Sequence, residues 1–311
     1  MSDYATFIEA KKILDPPSGL AKVPELSAQL FPFQRDIVAW ALRRGRAAIF
    51  ADCGLGKTPM QLECATRVAD ETDCNVLILA PLAVAEQTVR EGQKFGIEVT
   101  HARTAKQIGR LTITNYERLE HFDPARFSAV VLDESSILKS FDGATSSGLI
   151  EAFQQTPYRL ACTATPAPND FIELGTHAEF VGALTRPEML ATFFVHDGGE
   201  TQKWRLRQHG VKDFWQWLAS WAVVIRRPSD VGYADDGFTL PPLEIEQRTV
   251  AQVAGEGSLF ALEAQTLPER LAARRDSVNE RAAECAALVN STPGTWVIWC
   301  NLNAEPAKKR R

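Results

Sequence analysis

The stretch IFADCGLGKTPMQ, residues 49–61, decides the fold of this chain. An apolar run ends in a loop that contains Gly54 and Gly56, and Lys57 and Thr58 then begin a helix-like run. Glycines allow the backbone to turn sharply and to approach a ligand closely, while the first N–H groups of a helix attract anions. The pattern A-x-x-G-x-G-K-T between a strand and a helix therefore predicts a phosphate-binding loop, the P-loop or Walker A motif.

A pair of carboxylates follows another apolar run, AVVLDESS at residues 129–136. Mg²⁺ prefers oxygen ligands and accompanies nucleotide phosphates, so we expect Asp133 and Thr58 to hold Mg²⁺ at a bound ATP. We expect Lys57 to reach the β- and γ-phosphates, and Glu134 to act as the general base that polarises the attacking water. The backbone expected to wrap the phosphates belongs to Gly54, Leu55 and Gly56.

Short apolar runs alternate with helix-like runs between residues 46 and 180. The apolar runs are continuous rather than alternating, which is typical of strands buried on both faces of a parallel sheet. Helix-like runs at 58–69 and 84–94 separate some of them. The chain is therefore predicted to form an α/β fold with a doubly wound parallel sheet. The predicted strands are RAAIFA (46–51), NVLILAP (75–81), LTITNY (111–116), AVVLDE (129–134) and RLACTA (159–164).

Composition narrows the class of protein. The 311 residues are 45% hydrophobic and carry a net charge of −5, so any binding of nucleic acid must depend on a local basic patch. The six cysteines form no C-x-x-C pair, which favours a reducing compartment. The N-terminal residues lack the apolar core of a signal peptide, and no apolar run approaches the roughly 20 residues of a membrane helix. We therefore expect a cytoplasmic protein that does not contact membranes.

An inserted arm is predicted beyond residue 184. The run FFVHDGGETQKWRLRQH (193–209) reads as a hairpin around Asp197-Gly198-Gly199. The run VKDFWQWLASWAVVI (211–225) follows, and its aromatic residues at helical spacing predict core packing. Further along, residues 267–289 have a helical pattern, and TWVIWCNLN (295–303) is predicted to form one more buried strand. The aromatic residues at helical spacing are Phe214, Trp217 and Trp221.

The arm also carries a local excess of positive charge. Residues 201–227 contain six Lys or Arg and a single acid, Asp213. A strand through KWRLRQH places alternate residues on one face, and nearby tryptophans can stack on bases. We predict contact with nucleic acid here, while a solvated hairpin face remains the alternative. The residues on the predicted face are Lys203, Arg205, Arg207 and His209, and the stacking candidates are Trp204 and Trp215.

Seven segments in order resemble the first RecA-like lobe of a superfamily-two helicase, nearest to the Swi/Snf-type DNA translocases and their phage relatives. LFPFQ ends in Gln34, which matches the adenine-reading glutamine of that family. Ala51 departs from the usual glycine, and Ser135 and Ser136 depart from the usual Ala-His or Ala-Asp. The other segments are ADCGLGKT (51–58, motif I), LILAPLAVAEQTVREGQKFG (77–96, motif Ia), ITNYERL (113–119, motif Ib), DESSILKS (133–140, motif II), CTATPAPND (162–170, motif III) and VIRRPSDVG with LPP (224–242).

The resemblance implies a DNA-dependent ATPase that uses ATP and Mg²⁺, in which Thr163 and Thr165 couple the nucleotide site to DNA. It implies an N-terminal extension (1–29), a RecA-like ATP-binding lobe (30–184), an inserted arm with a lobe-closing segment (185–243), and a linker helix with a truncated start of a second lobe (244–311). A separate second-lobe polypeptide is then a conceivable partner. Arg226 and Arg227 match paired arginines of the family.

Two other functions are weighed against this one. Without the second lobe and its arginine finger, the chain would be an ATP-binding module or partner subunit that hydrolyses ATP poorly. A P-loop kinase is a second rival, but it leaves the segments similar to motifs Ia, Ib and III without an explanation.

Overall fold

The computed structural model describes residues 16–139, 143–197, 200–239, 241–250 and 266–300. The chain divides into two compact units, residues 1–240 and 241–311. None of the helices in the described ranges is long and apolar enough to cross a membrane.

Strands in the first unit build a parallel sheet and a separate hairpin. They are β1 Arg46–Ala51, β2 Val76–Ala80, β3 Thr100–His101, β4 Leu111–Asn115, β5 Ala129–Asp133, β6 Tyr158–Thr163, β7 Phe194–Asp197, β8 Glu200–Leu206 and β9 Ala222–Ile225. The sheet has seven strands in the order β3-β4-β2-β5-β6-β1-β9, and every pairing in it is parallel. The five predicted strands are confirmed, with ends that differ from the prediction by one residue at most.

Helices flank the sheet on both faces. The helices of the first unit are α1 Pro32–Arg44, α2 Lys57–Thr72, α3 Ala85–Lys94, α4 Ala144–Phe153, α5 Leu174–Val181, α6 Arg186–Phe193 and α7 Val211–Trp221. The second unit, taken by itself, contains α8 Leu267–Asp276 and α9 Val278–Ser291. Short 3-10 helices cover Ala105–Gln107, Tyr116–His121, Pro124–Arg126, Ser135–Lys139, Phe171–Glu173, Gln208–Gly210 and Pro228–Val231. Consecutive residues of β1 belong to different cores: Ile49 packs with α1 and α2, whereas Phe50 packs with α5 and α7. The sheet is therefore doubly wound, as predicted.

The aromatic stripe of α7 lies in the core. Phe214, Trp217 and Trp221 are fully buried, and the centroids of the two tryptophan rings are 5.3 Å apart. The helix ends at Trp221, however, and residues 222–225 form β9, which the sequence analysis did not predict. Ala222 pairs with Ala48 of β1, so the β-branched residues that follow extend the parallel sheet at its edge.

The predicted hairpin is formed by β7 and β8, which pair antiparallel with Phe194 opposite Leu206 and His196 opposite Trp204. Gly198 and Gly199 of its turn lie outside the described residues. The prediction that alternate residues from Lys203 to His209 lie on one strand face is wrong beyond Leu206. Arg207 leaves the strand, and His209 lies in a short 3-10 helix that leads into α7.

The second unit contains α8 and α9 in the region predicted to be helical. Thr266 caps α8 by accepting the N–H of Glu269. The buried strand predicted at 295–303 is wrong for the described part, since residues 295–300 are not in a strand and Trp299 is 91% exposed. A strand needs a partner for its backbone groups, and no described strand pairs with this segment. Residues 301–303 lie outside the description.

Candidate nucleotide site

The P-loop connects β1 to α2 at the carboxyl edge of the sheet, where parallel strands present ligands. Gly54 and Gly56 have φ angles of 85° and 74°, in the left-handed region that favours glycine. A Cβ atom at Gly54 would meet no described atom within 4 Å, so this side of the loop is open. The first turn of α2 adds N–H groups without helical partners, so the local geometry suits an anion.

Lys57 and Thr58 begin α2 at the end of the loop. The Lys57 ammonium donates to the carbonyl oxygens of Ala51, at 2.8 Å, and Asp52, at 3.3 Å, so it folds back over the start of the loop. The Asp52 N–H in turn donates to the Ile225 carbonyl oxygen at 3.0 Å, which fixes the loop to β9. An ammonium and a hydroxyl at this helix start are a donor set that fits nucleotide phosphates and Mg²⁺.

Gln34 lies against the P-loop and is only 3% exposed. Its Nε2 donates to the Leu55 carbonyl oxygen at 2.8 Å, and its Oε1 accepts the Phe31 N–H at 3.0 Å. A Cβ atom at Gly56 would come within 2.4 Å of Gln34 Nε2, so the close approach needs a glycine. The glutamine predicted to read adenine therefore braces the loop, and its contact with a base stays a prediction.

Asp133 ends β5 and contacts the helix that carries Lys57. Its Oδ1 accepts a 2.9 Å hydrogen bond from Nε2 of Gln61, which is fully buried. Burial raises the pKa of Asp133, and the hydrogen bond from Gln61 opposes this rise. The charge of Glu134 raises the same pKa further, whereas the charge of Lys57 lowers it. The sequence analysis missed Gln61, although a residue four positions after Lys57 shares its helix face.

Tyr116 holds the backbone of the same aspartate. Its hydroxyl donates to the backbone carbonyl oxygen of Asp133 at 2.8 Å. Burial and the nearby carboxylates of Asp133 and Glu134 raise the pKa of Tyr116 well above its usual value, so the phenol stays a neutral donor. Tyr116 follows β4 at the carboxyl edge of the sheet, which is the signal that could have identified it.

Glu134 is joined to motif III by hydrogen bonds. Its Oε1 accepts a 2.7 Å bond from the Thr163 hydroxyl at the end of β6, and that hydroxyl oxygen accepts the Thr165 N–H at 3.0 Å. Glu134 has a φ angle of 56°, and in the described ranges only Asp73, at 49°, is another non-glycine residue with positive φ. The structure thus brings the predicted general base and both predicted coupling residues into one chain of hydrogen bonds.

The turn after Glu134 rests on polar groups of α4 and α5. The Leu138 carbonyl oxygen accepts hydrogen bonds from the hydroxyls of Thr176, at 2.5 Å, and Ser146, at 3.3 Å. Ser135, one of the departures from the family pattern, is fully buried. Two helices that carry no recognised motif therefore hold the turn after Glu134 in place.

His177 of α5 is a buried histidine behind this turn that the sequence analysis missed. Its ring is fully buried and makes a T-shaped contact with Phe50, with centroids 5.3 Å apart. Burial lowers the pKa of His177 to about 4, against the opposing effect of the Glu173 and Ser135 backbone groups. The imidazole is therefore neutral near pH 7.

The hairpin residues predicted to contact nucleic acid have different environments. Lys203 and Arg205 lie on β8, and the side chain of Lys203 is outside the described part of the structure. Arg207 donates through Nε to the Phe194 carbonyl oxygen at 3.1 Å and through a terminal nitrogen to that of Ala191 at 2.8 Å. Arg207 therefore ties β8 to the end of α6, a structural role that the sequence did not indicate.

The lobe-closing segment packs back onto the helix of Gln34. The backbone N–H groups of Arg226 and Arg227 both donate to Asp230 Oδ2, at 2.7 and 3.1 Å, and this turn redirects the chain. Beyond it, the Phe238 ring meets the Phe33 ring of α1 edge to face, with centroids 5.2 Å apart. The paired arginines thus begin a structural turn.

No family model matches the chain. It is 28% identical over 162 residues to the mouse DNA annealing helicase and endonuclease ZRANB3, covering 46% of this chain and 15% of that protein. It is 28% identical over 192 residues to the Drosophila melanogaster SWI/SNF-related matrix-associated actin-dependent regulator of chromatin subfamily A-like protein 1, covering 55% and 25%. The chain therefore spans a quarter or less of the length of these relatives.

Among solved structures, the fold is similar to the Sulfolobus solfataricus SWI2/SNF2 ATPase core in complex with dsDNA, with a TM-score of 0.53 and 19% identity. The match covers 66% of this chain and 47% of that one, and it supports the RecA-like α/β fold. The sequence similarity to the curated relatives confirms the resemblance that seven ordered segments predict. The chain is thus similar in sequence to Swi/Snf-type helicases over about half of its length.

Proposed function

We propose that this chain is the ATP-binding lobe of a helicase-type, DNA-dependent ATPase of Swi/Snf type. The observation that carries the proposal is the pairing of the two motif II carboxylates: Asp133 with Gln61 of the P-loop helix, and Glu134 with Thr163 of motif III. This arrangement connects the P-loop helix, the proposed metal-binding carboxylate and the proposed general base to the motif III loop. The Swi/Snf relatives support the same function.

ATP is proposed to bind with its phosphates in the P-loop. The backbone of Gly54, Leu55 and Gly56 wraps them, Lys57 contacts the β- and γ-phosphates, and Gln34 lies where it can also reach the adenine. Thr58 and Asp133 would hold Mg²⁺, which neutralises charge on the phosphates when bound. The Gln61 hydrogen bond opposes the rise in the pKa of Asp133 that burial causes and so favours the ionised carboxylate, which is the form that binds magnesium well.

Hydrolysis is proposed to use Glu134 as the general base. Oε1 is held by Thr163, so the second carboxylate oxygen is left to orient a water and accept its proton. The turn beneath Glu134 is fixed through Leu138 by α4 and α5, which limits the directions that the carboxylate can take. DNA at motif III would act on Glu134 through Thr165 and Thr163.

DNA is proposed as the partner, with contact at the basic arm. The support is the local excess of positive charge at 201–227 and the DNA named for the solved SWI2/SNF2 core. Lys203 and Arg205 of β8 are proposed to contact phosphates, and Arg207 donates to backbone oxygens in this structure. A cytoplasmic, reducing setting belongs to the proposal, since none of the six cysteines forms a disulfide.

A second candidate function is an ATP-binding module without useful hydrolysis. It would apply if this lobe acts without a second lobe, because the family resemblance implies that two lobes form the complete site. In related phosphoryl-transfer sites an arginine finger contributes on the order of 10³–10⁵ in rate. A polypeptide that supplies a second lobe would then be the partner that completes the site.

Phosphate release from Mg²⁺-ATP, measured with and without DNA, tests the two functions. Glu134→Gln should retain ATP binding and lose about 10²–10⁴-fold in hydrolysis, whereas Lys57→Ala should lose binding. Glu91→Gln and Lys94→Ala, an ion pair on α3, are matched controls that should behave as the wild type. Hydrolysis by Glu134→Gln at the wild-type rate would contradict the assignment of the base. ATP binding without hydrolysis, even with DNA, would establish the second function.

A further inference from the structure

A groove runs beside the nucleotide site, between the motif III loop and the arm. Its first part has a volume of about 600 Å³ and is lined by the motif III loop, α7 and the ends of β1 and β9. A second part of about 450 Å³ continues towards β8. Ala167 and Phe171 line both parts, so the Phe171 ring stands between two halves of one surface. Neither half is used by the nucleotide residues described above, except that Asp52 of the P-loop borders the first.

Aromatic side chains are exposed along this groove. Phe171 is 44% exposed and Trp215 is 41% exposed, and their rings meet edge to face with centroids 5.2 Å apart. In the second half, the half-buried Trp204 contacts His196, with ring centroids 3.8 Å apart and the planes tilted by 37°. Exposed clusters of large rings are uncommon on a protein surface unless they bind something. Rings that are partly exposed and held by neighbouring rings make suitable stacking platforms for bases.

The charge around the groove favours an anionic ligand. The exposed Arg226 lines the first half and Arg205 lines the second, within a stretch that has six basic residues and one acid. The two acids that border the groove accept backbone N–H groups: Asp52 from Cys53 and Asp170 from Ile172. Aromatic rings next to arginines match the bases and phosphates of a nucleic acid better than an apolar or basic peptide.

The groove is connected to the catalytic carboxylate. Thr165 lines its wall, donates its N–H to Thr163, and Thr163 donates to Glu134. A ligand that moves the Thr165 backbone would therefore change the hydrogen bond that orients Glu134. This short path gives the groove a means to control hydrolysis.

We propose that the groove binds single-stranded nucleic acid, by stacking unpaired bases on Phe171 and Trp215 while Arg226 and Arg205 contact the phosphates. The inference rests on the proposed function. It adds that the nucleic acid is single-stranded and that it binds in this groove. Inside a duplex both faces of a base are covered by its neighbours, so only an unpaired base can use these rings. Duplex DNA has to rely on other contacts.

The test compares a fluorescently labelled oligo-dT strand with a duplex of the same length, by anisotropy and without nucleotide. Phe171→Leu and Trp215→Leu should each weaken single-strand binding on the order of 10-fold or more, and change duplex binding by less than about twofold. Trp299→Leu is the matched control, because this tryptophan is exposed and belongs to the second unit. The unfolding temperature and ATP affinity of each variant check that the lobe is intact.

A charge variant tests the same site without removing a ring. Arg226→Gln should flatten the slope of log K against log salt for oligo-dT by about 0.7, and Arg43→Gln on α1 should leave the slope unchanged. Equal losses on single strand and duplex, or no loss from either ring variant, would overturn the inference. If the groove binds an apolar peptide instead, neither ring variant would lose affinity for the oligonucleotides. Normal ATP binding and basal phosphate release in the same variants would show that the proposed function stands even if the groove assignment fails.

Discussion

The Thr163 hydroxyl donates a 2.7 Å hydrogen bond to the Glu134 carboxylate and so joins the end of β6 to the residue that follows β5. We predict that Thr163→Val, which keeps the shape of the side chain, lowers phosphate release about 10-fold or more at unchanged ATP affinity. The reason is that a hydrogen bond to a charged group contributes about 1.5–3 kcal/mol, here to one orientation of the base. Steady-state kinetics with a separate ATP-binding titration measure both quantities.

Thr163→Ser should restore most of the rate, because it keeps the hydroxyl. Thr114→Val is the matched control: Thr114 is a buried threonine of β4 whose hydroxyl has no hydrogen-bond partner in the described structure. If Thr163→Val hydrolyses ATP as fast as the wild type, the hydrogen bond to Glu134 has no catalytic role.

Gln61→Leu should make the Mg²⁺ requirement depend more strongly on pH. The Gln61 bond opposes the rise in the pKa of Asp133 that burial causes, so its removal raises that pKa further. A larger share of Asp133 is then protonated at mildly acid pH, and a protonated carboxyl is a poor metal ligand. Mg²⁺ titrations of ATP hydrolysis at pH 5.5 and 7.5 measure the effect. Gln87→Leu, an exposed glutamine on α3, should show the wild-type profile.

Gln34→Ala should weaken the binding of both ATP and GTP, because the brace between Phe31 and Leu55 is lost. An amide has two donor hydrogens and two acceptor positions, so one of each remains for an adenine. The preference for ATP over GTP is therefore expected to fall as well. Competition titrations with the two nucleotides separate the roles: a common loss reports the brace, and a changed ratio reports base reading. Unchanged affinity for both nucleotides would contradict both roles.

His177 should make the folded chain sensitive to acid. Its pKa in the folded protein is about 4, below the ordinary value of 6.5, so the unfolded chain takes up a proton that the folded chain does not. Its contribution to stability is fully present above pH 6.5 and is lost as the pH falls towards 4, a change of about 3 kcal/mol. Urea unfolding at a series of pH values measures this free energy.

His177→Asn should remove this part of the pH dependence, so its unfolding free energy should fall less than that of the wild type between pH 6.5 and 4. Parallel curves for wild type and His177→Asn would show that His177 takes up its proton equally in the folded and unfolded states.

Short sequence patterns were enough to predict the strands and the P-loop that surround the site. Continuous apolar runs such as 76–80 belong to central parallel strands that are buried on both faces, so each strand could be recognised without its neighbours. The same holds for the P-loop, where the left-handed glycines and Lys57 are adjacent in sequence. What the sequence could not supply are contacts between distant segments, such as Gln61 with Asp133 and His177 with Phe50.

Two errors have the same origin. The residues 222–225 form a strand because Ala222 finds a place beside Ala48 on the edge of the sheet. The similarly apolar residues 295–300 do not, because no described strand offers them a ladder. β-propensity alone does not separate these cases, since the partner and not the segment decides the outcome.

The left-handed backbone of Glu134 sets a limit on the evolution of this chain. A non-glycine residue in that conformation costs on the order of 1 kcal/mol or more. Glycine at position 134 would relieve this strain and would be favoured by any selection for a more stable protein. Consensus or stability-driven redesign of this lobe will therefore tend to erase the residue proposed to activate water, and position 134 has to be held fixed by a screen for hydrolysis rather than for yield.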